Sequence, residues 1–276
     1  MILIADAGGS KTDWRIIDGD KITQLVSDGF NFKTHPIDPF FANLPIEILE
    51  LKNVNELHFY AAGLVSDADK DVLSARFKIL FTAADISCYP DTIAAARALF
   101  GRSKGYVGLI GTGSGAAYYD GVTLQRIPSL GYLIGDEGSG YQLGKMILTA
   151  KVRGQLPKDL DNLFDKTFKD FSEANLLSRV YSKPSPNQLV ASYAQFVLEN
   201  QANPFAYQLI EKVMTAYFEA YFPDKKTNQE HTFRFCGSVA YLSSNILRKV
   251  AQQFNASADL IIQSPIAGLT LYHKKS

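Results

Sequence analysis

Met1-Ile2-Leu3-Ile4-Ala5-Asp6-Ala7-Gly8-Gly9-Ser10-Lys11-Thr12-Asp13 is the stretch on which the reading of this chain turns. Ile2 to Ala5 is an unbroken apolar run of strand length, so it reads as a buried strand. It delivers Asp6 at its carboxyl end, just before Gly8-Gly9, a pair that can leave backbone N–H groups open to a phosphate without Cβ obstruction. Asp6 is a hard oxygen ligand of the kind magnesium takes, directly or through water. Ser10 and Thr12 bring hydroxyls suited to β and γ phosphates, and Lys11 brings positive charge. Gly8, Gly9, Ser10, Lys11 and Thr12 are therefore candidate phosphate-binding residues, and Asp6 is the candidate metal ligand. Trp14 to Asp18 and Ile22 to Val26 then alternate as hairpin strands around Asp18-Gly19-Asp20. The glycines thus lie in a strand-turn-strand element. The chain has neither G-x-x-x-x-G-K-[ST] opening a helix nor G-x-G-x-x-G after its first strand, which argues against the P-loop and dinucleotide-binding classes. A structural hairpin with an Asp at its mouth is the alternative that this segment alone leaves open.

Outward from that turn, the pattern predicts a helix over 38–51, a strand over 56–63, a helix over 67–83, an extended segment over 86–89 and a helix over 92–100. Gly101-Arg102-Ser103-Lys104-Gly105 is a polar connection that reads as a domain boundary. The strand Tyr106 to Ile110 then delivers Gly111-Thr112-Gly113-Ser114-Gly115, followed by Ala116 to Tyr119 and the turn Asp120-Gly121, so the second half opens as the first did. Residues 141–221 read as largely helical, with breaks at 154–157, 184–186 and 203–204. Strands are expected at 232–236 and 260–262, and helices after Gly237-Ser238 and over 266–273. The predicted fold is α/β, with mixed sheets flanked by helices in two domains. These are residues 1–103, onto which a last helix over 265–276 packs back, and residues 104–264, which carry a helical insertion.

With 276 residues, 46% of them hydrophobic, the chain can bury two cores of ordinary size. Its 28 basic and 28 acidic residues balance, so it has no global field for nucleic acid or an anionic membrane, and the expected partner is a small molecule. Cys88 and Cys236 lie far apart in apolar stretches with no C-x-x-C, which argues against a disulfide framework or a structural zinc site. Met1 leads straight into a strand, with no signal core and no apolar run of spanning length, so a soluble, cytoplasmic protein is expected.

Two similar halves, each offering a strand-turn-strand phosphate loop, are the layout of the actin-like ATPase and sugar kinase superfamily. Leu109-Ile110-Gly111-Thr112-Gly113-Ser114 and Leu130-Gly131-Tyr132-Leu133-Ile134-Gly135-Asp136-Glu137-Gly138-Ser139-Gly140-Tyr141 resemble the paired signature of the N-acetylglucosamine kinases. They also match the wider BadF/BadG/BcrA/BcrD ATPase group, which includes the activators of benzoyl-CoA reductase and hydroxyacyl dehydratases. The resemblance covers essentially the whole chain. It implies two ribonuclease-H-like domains with ATP and substrate in the inter-domain cleft. It further implies Mg2+ as cofactor and ATP-dependent phosphorylation of the 6-hydroxyl of an amino sugar. N-acetylglucosamine is the default substrate, with N-acetylmuramic acid and glucosamine as alternatives. An ATPase activator would need an iron–sulfur cluster on closely placed cysteines, which Cys88 and Cys236 are not. A non-enzymatic sugar- or nucleotide-sensing regulator is the third class.

Phosphoryl transfer to a hydroxyl needs a carboxylate to take its proton, and Asp91, after an extended segment and at the head of a helix, is the candidate base. Its alternative role is to cap that helix. Asp136 can accept two hydrogen bonds from adjacent sugar hydroxyls or cap a helix of its own. Asn31 and Gly131 complete the expected sugar residues, Asn31 having a turn role as its alternative. Gly111, Thr112 and Gly113, with the Ser114 hydroxyl, are expected on the phosphates. Gly237 and Ser238 are expected on the adenosine end, or as a plain strand-to-helix turn. One departure stands out: Pro128-Ser129 occupies the place of a glycine pair usual in these kinases, so that wall of the sugar pocket differs. His58 reads as a core or edge residue. The aromatic series from Tyr193 to Phe222 reads as core or as a homodimer face.

Overall fold

In the first β-strand, alternate residues enter two different cores, so that element is buried on both faces, as its unbroken apolar run demands. Leu3, Ala5 and Ala7 join an aromatic cluster with Trp14, Phe30, Phe40, Phe59 and Phe77, while Ile4 joins Ile17, Tyr60, Ala94, Ile266 and Leu269. A computed structural model describes residues 1–9, 11–182, 186–222 and 231–274. Within it the chain divides into two units. One comprises Met1–Ser103, Asp120–Leu124 and Ser264–Ser276, and the other comprises Lys104–Tyr119 and Gln125–Gln263.

In the first unit, β1 (Ile2–Ala7), β2 (Lys11–Asp18) and β3 (Lys21–Asp28) form an antiparallel meander. Short helices α1 (Ile37–Ala42) and α2 (Ile46–Leu49) follow, then β4 (Glu56–Ala61), α3 (Asp67–Leu80), β5 (Asp85–Pro90) and α4 (Asp91–Phe100). The single helix expected over 38–51 is thus two. Pro45 lacks the N–H to continue the first helix and excludes α geometry for Leu44, so Asn43 ends α1 and Pro45 starts α2. The strands order as β3-β2-β1-β4-β5, with β4 and β5 parallel to β1.

The second unit repeats this plan with β6 (Gly105–Ile110), β7 (Ser114–Tyr119) and β8 (Leu124–Ile127), the last of which enters it at Gln125. Seven helices intervene before the sheet resumes: α5 (Gly131–Ile134), α6 (Gly140–Val152), α7 (Lys158–Thr167), α8 (Glu173–Ser182), α9 (Pro186–Ser192), α10 (Ala194–Glu199) and α11 (Pro204–Tyr221). Then come β9 (His231–Cys236), α12 (Ser238–Leu242), α13 (Ser244–Gln253) and β10 (Ala256–Ile262). The sheet order β10-β9-β6-β7-β8 is that of the first unit read from the other edge. Tyr193, Phe196, Tyr217, Phe218 and Tyr221 are buried in this unit's core, so these aromatics hold the helices to the sheet. Each such burial contributes about 1.5–3 kcal/mol.

The last helix, α14 (Ile266–Lys274), packs against α4 and β1 in the first unit. A buried polar relay fixes it there. The Arg97 guanidinium donates to Tyr60 Oη at 2.8 Å, and Tyr60 Oη meets His273 Nε2 at 2.8 Å. His58 stacks on His273 with ring centroids 3.7 Å apart. Burial and the neighbouring His58 and Arg97 push the His273 pKa down to about 3, so the ring is neutral and accepts from Tyr60. Among the described residues no helix is long and apolar enough to cross a membrane.

Candidate active site

In the first unit, the turn after β1 is fixed by its flanks. Gly8 N–H donates to Lys11 O at 3.0 Å, and Phe30 N–H donates to Gly8 O at 2.8 Å. The turn shortens the β1–β2 register so that Asp6 faces Asp13 directly across the ladder. Opposed residues of an antiparallel pair share a face, so the two carboxylates lie on one side of the sheet. Asp13 is buried and pairs with Lys11 Nζ at 2.8 Å. The pKa of Asp6 is pushed up to about 7, first by burial, then by the charges of Asp13 and Asp91. The Ser264 hydroxyl, donating to Asp6 Oδ2 at 3.5 Å, offsets this only in part. Asp13 and Ser264 are site residues that local motif reading missed. Counting register back from the turn could have found Asp13, whereas Ser264 precedes a distant helix and carries no local signal.

Asp91 is the first residue of α4, and Pro90, not Asp91, holds the N-cap position. The Asp91 carboxylate lies in the first turn of α4, and its charge acts on Asp6. Thr12 differs from expectation: its fully buried hydroxyl donates to Asp28 O at 2.8 Å, so its one proton is spent tying β2 to β3 and not on a phosphate. Asn31 forms a bridge to Ala62, and its Oδ1 accepts Lys33 N–H at 3.0 Å, the turn role given above as its alternative. Ser10 lies outside the described residues.

This donor set suits magnesium: it is all oxygen, two further carboxylates act by charge on the half-buried Asp6, and it offers no soft ligand. Among the described residues no group of three His, Cys, Asp or Glu side chains could cage an ion alone. That matches an ion that takes one or two carboxylates and completes its shell with phosphate oxygens and water.

In the second unit, the turn after β6 is tied to the head of α6. Gly140 N–H donates to Gly111 O at 2.8 Å, and Tyr141 N–H donates to Thr112 O at 3.0 Å. Ser139 caps α6 by accepting Gln142 N–H, which leaves Asp136 free of the capping role. Asp136 is buried, with φ at 61°, a left-handed backbone that costs a non-glycine residue about 1–3 kcal/mol. Its carboxyl lies against Gly113, where an added Cβ would come within 2.9 Å of Oδ2. Burial pushes the Asp136 pKa up and the Ser114 N–H draws it back down. The Ser114 hydroxyl donates to Glu137 O at 2.7 Å, so it too is spent within the protein, while Thr112 is exposed. Gly237, with φ at 130°, packs on the backbone of Ile110 and Gly111 and sets the exposed Ser238 at the start of α12. Gly111, Thr112, Gly113, Asp136 and Gly237 therefore come together. Gly131 is exposed at the start of α5.

No family model and no curated protein matches the chain. Solved structures do. A candidate N-acetylglucosamine kinase from Porphyromonas gingivalis is 28% identical, with a TM-score of 0.88 over 100% of this chain and 99% of that one. A second candidate N-acetylglucosamine kinase, from Chromobacterium violaceum, is 17% identical, with a TM-score of 0.71 over 98% of each chain. A ROK family glucokinase from Streptomyces griseus, solved with glucose and AMPPNP, is 16% identical, with a TM-score of 0.54 over 99% of each chain. The fold is that of these two-domain sugar kinases.

Proposed function

We propose that the protein is an ATP-dependent sugar kinase that phosphorylates the 6-hydroxyl of an amino sugar, with N-acetylglucosamine as the default substrate. The observation that carries this reading is that Asp13, opposite Asp6 across the ladder, and Asp91, at the head of α4, both act by charge on Asp6 beside the Gly8-Gly9 turn. Phosphoryl transfer to an alcohol asks for that pairing of a metal ligand with a base. The end-to-end likeness to the Porphyromonas kinase supports the sugar as acceptor.

In this reading Asp91 takes the proton of the sugar hydroxyl as its oxygen bonds to the γ-phosphorus, and the bond from that phosphorus to the β-phosphate oxygen breaks to release ADP. Asp6 would hold Mg2+, which when bound neutralises phosphate charge. The backbone N–H groups of Gly8 and Gly9, with Lys11, would serve phosphate oxygens, and Gly111 to Gly113 have the same chemistry to offer. Gly237 and Ser238 would meet the adenosine end. Asp136 would accept from sugar hydroxyls, with Asn31 and Gly131 as further sugar contacts. Ser129, after Pro128, leans on this second turn, its hydroxyl donating to Ser114 O at 3.4 Å. The Pro128-Ser129 wall would therefore read the 2- and 3-substituents that separate N-acetylglucosamine, N-acetylmuramic acid and glucosamine.

The test is coupled ADP release with magnesium ATP against N-acetylglucosamine, N-acetylmuramic acid, glucosamine, N-acetylmannosamine and glucose. Strong stimulation by one amino sugar is expected. Clear basal ATP hydrolysis that no sugar stimulates would overturn the kinase reading in favour of an ATPase acting on another partner.

A further inference from the structure

Helix α11 carries two tyrosines one turn apart, Tyr217 and Tyr221, whose rings lie 4.9 Å apart inside the second unit's core. A buried tyrosine hydroxyl must find a partner, and both of these find theirs on the two residues that follow the glycine turn. Tyr217 Oη donates to Gly115 O at 2.9 Å and also receives the backbone N–H of Leu109, so it is spliced into the β6–β7 ladder at the pair Leu109–Gly115. Tyr221 Oη lies 3.3 Å from both the carbonyl and the hydroxyl oxygen of Ser114. The Tyr217 side chain also fills the space beside Gly138, where an added Cβ would come within 2.6 Å of its Cβ and 2.7 Å of its ring. Gly138, at φ 91°, belongs to the Asp136–Ser139 segment. One pair of side chains therefore touches the phosphate turn on one side and the sugar segment on the other. Ser114 closes the circuit: its N–H binds the Asp136 carboxyl and its hydroxyl binds Glu137 O.

We propose that Tyr217 and Tyr221 are positioning residues that couple the two halves of this site, so that a sugar held by Asp136 stiffens the Gly111–Ser114 turn and tightens nucleotide binding. The inference rests on the kinase reading above. Neither tyrosine touches a substrate. Each acts through the backbone that does, and a hydroxyl wedged into a ladder fixes that backbone more narrowly than apolar packing would. Coupling between two sites of one protein typically changes affinity by roughly 5- to 150-fold, and the effect is reciprocal.

The experiment measures AMPPNP affinity with magnesium, in the presence and absence of the most active sugar of the panel, for the wild type, Tyr217→Phe and Tyr221→Phe. Both variants keep the ring and lose only the hydroxyl. The wild type is expected to bind AMPPNP more tightly with sugar. The variants are expected to bind each ligand alone about as the wild type does, to melt at a similar temperature, and to lose most of the enhancement. Tyr221→Phe, which does not disturb the ladder, decides the matter if Tyr217→Phe folds poorly. Undiminished enhancement in a folded Tyr221→Phe would overturn the proposal. A wild type that binds both ligands without enhancement would overturn it too while leaving the kinase reading intact. Failure of every sugar to stimulate turnover would overturn both.

Discussion

The two glycine turns occupy equivalent places in two sheets of the same strand order, yet they are held in different ways. The turn after β1 is bordered by charge: Asp13 and Asp91 both act on Asp6, and Lys11 is paired with Asp13. An added Cβ at Gly9 meets nothing within 4 Å. The turn after β6 contains no charged residue, and its carbonyls are taken by the head of α6 while its last residue is held by Ser129, Glu137 and Tyr221. The contrast teaches that one plan can be held in two ways: the first turn has charged neighbours and open space at Gly9, and the second is held by hydrogen bonds and by the Asp136 carboxyl against Gly113.

That contrast is broken most directly at the base. Asp91→Asn is expected to lower kcat by roughly 10²–10⁴-fold while leaving nucleotide affinity near wild type. Steady-state ADP release and direct nucleotide binding check this. Sugar-dependent turnover near the wild-type rate would show that Asp91 is not where the proton goes.

Alanine in each turn gives the next effect. Gly113→Ala places a methyl against Asp136 Oδ2, so it should displace that carboxylate, cost about 1–3 kcal/mol in denaturant unfolding and raise the KM for sugar. Gly9→Ala meets no such neighbour and should leave stability unchanged or raise it by about 0.4–1 kcal/mol, while weakening nucleotide binding where the backbone must meet phosphate. Equal destabilisation by the two would erase the difference between the turns.

The smallest expected effect is on stability against pH. The folded pKa of Asp6 is about 7 against 3.8 for the unfolded chain, so between these values the folded state holds the extra proton and stability falls as pH rises. His273 bends the curve the other way. Its folded pKa is about 3 against 6.5, so stability is lost as pH falls from 6.5 towards 3. Asp6→Asn removes only the first slope. In magnesium-free buffer its melting temperature should gain on the wild type as the pH is raised from about 4 to about 7, and a constant offset would show that Asp6 is not strained.

Much of this was legible because it is written locally. An apolar run, an Asp and two glycines dictate a strand and its turn, and Gly135-Asp136-Glu137-Gly138-Ser139 announces the head of a helix. What stayed illegible depends on register or on distant packing. The break at Pro45 was hidden by an apolar pattern that continues across it, and β8 is too short to alternate. The roles of Thr12 and Ser114 looked like phosphate donors because a hydroxyl's partner is set by what the fold brings near it, Asp28 in one case and Glu137 in the other. Tyr217 and Tyr221 read as plain core, since sequence shows the ring's burial but not where its hydroxyl points.

The first unit is discontinuous, and this bears on how it is made. Its sheet emerges from the ribosome early, but α14 comes only after the whole second unit, more than 160 residues past α4. Until then Ile4 and Tyr60 of the sheet and Ala94 of α4 lack Ile266 and Leu269, and Tyr60 lacks His273. The nascent first half is therefore a sheet with one face clothed and the other covered by α4 without α14. Its completion is a non-local step that waits on the chain's final turns and makes it the later of the two units to mature.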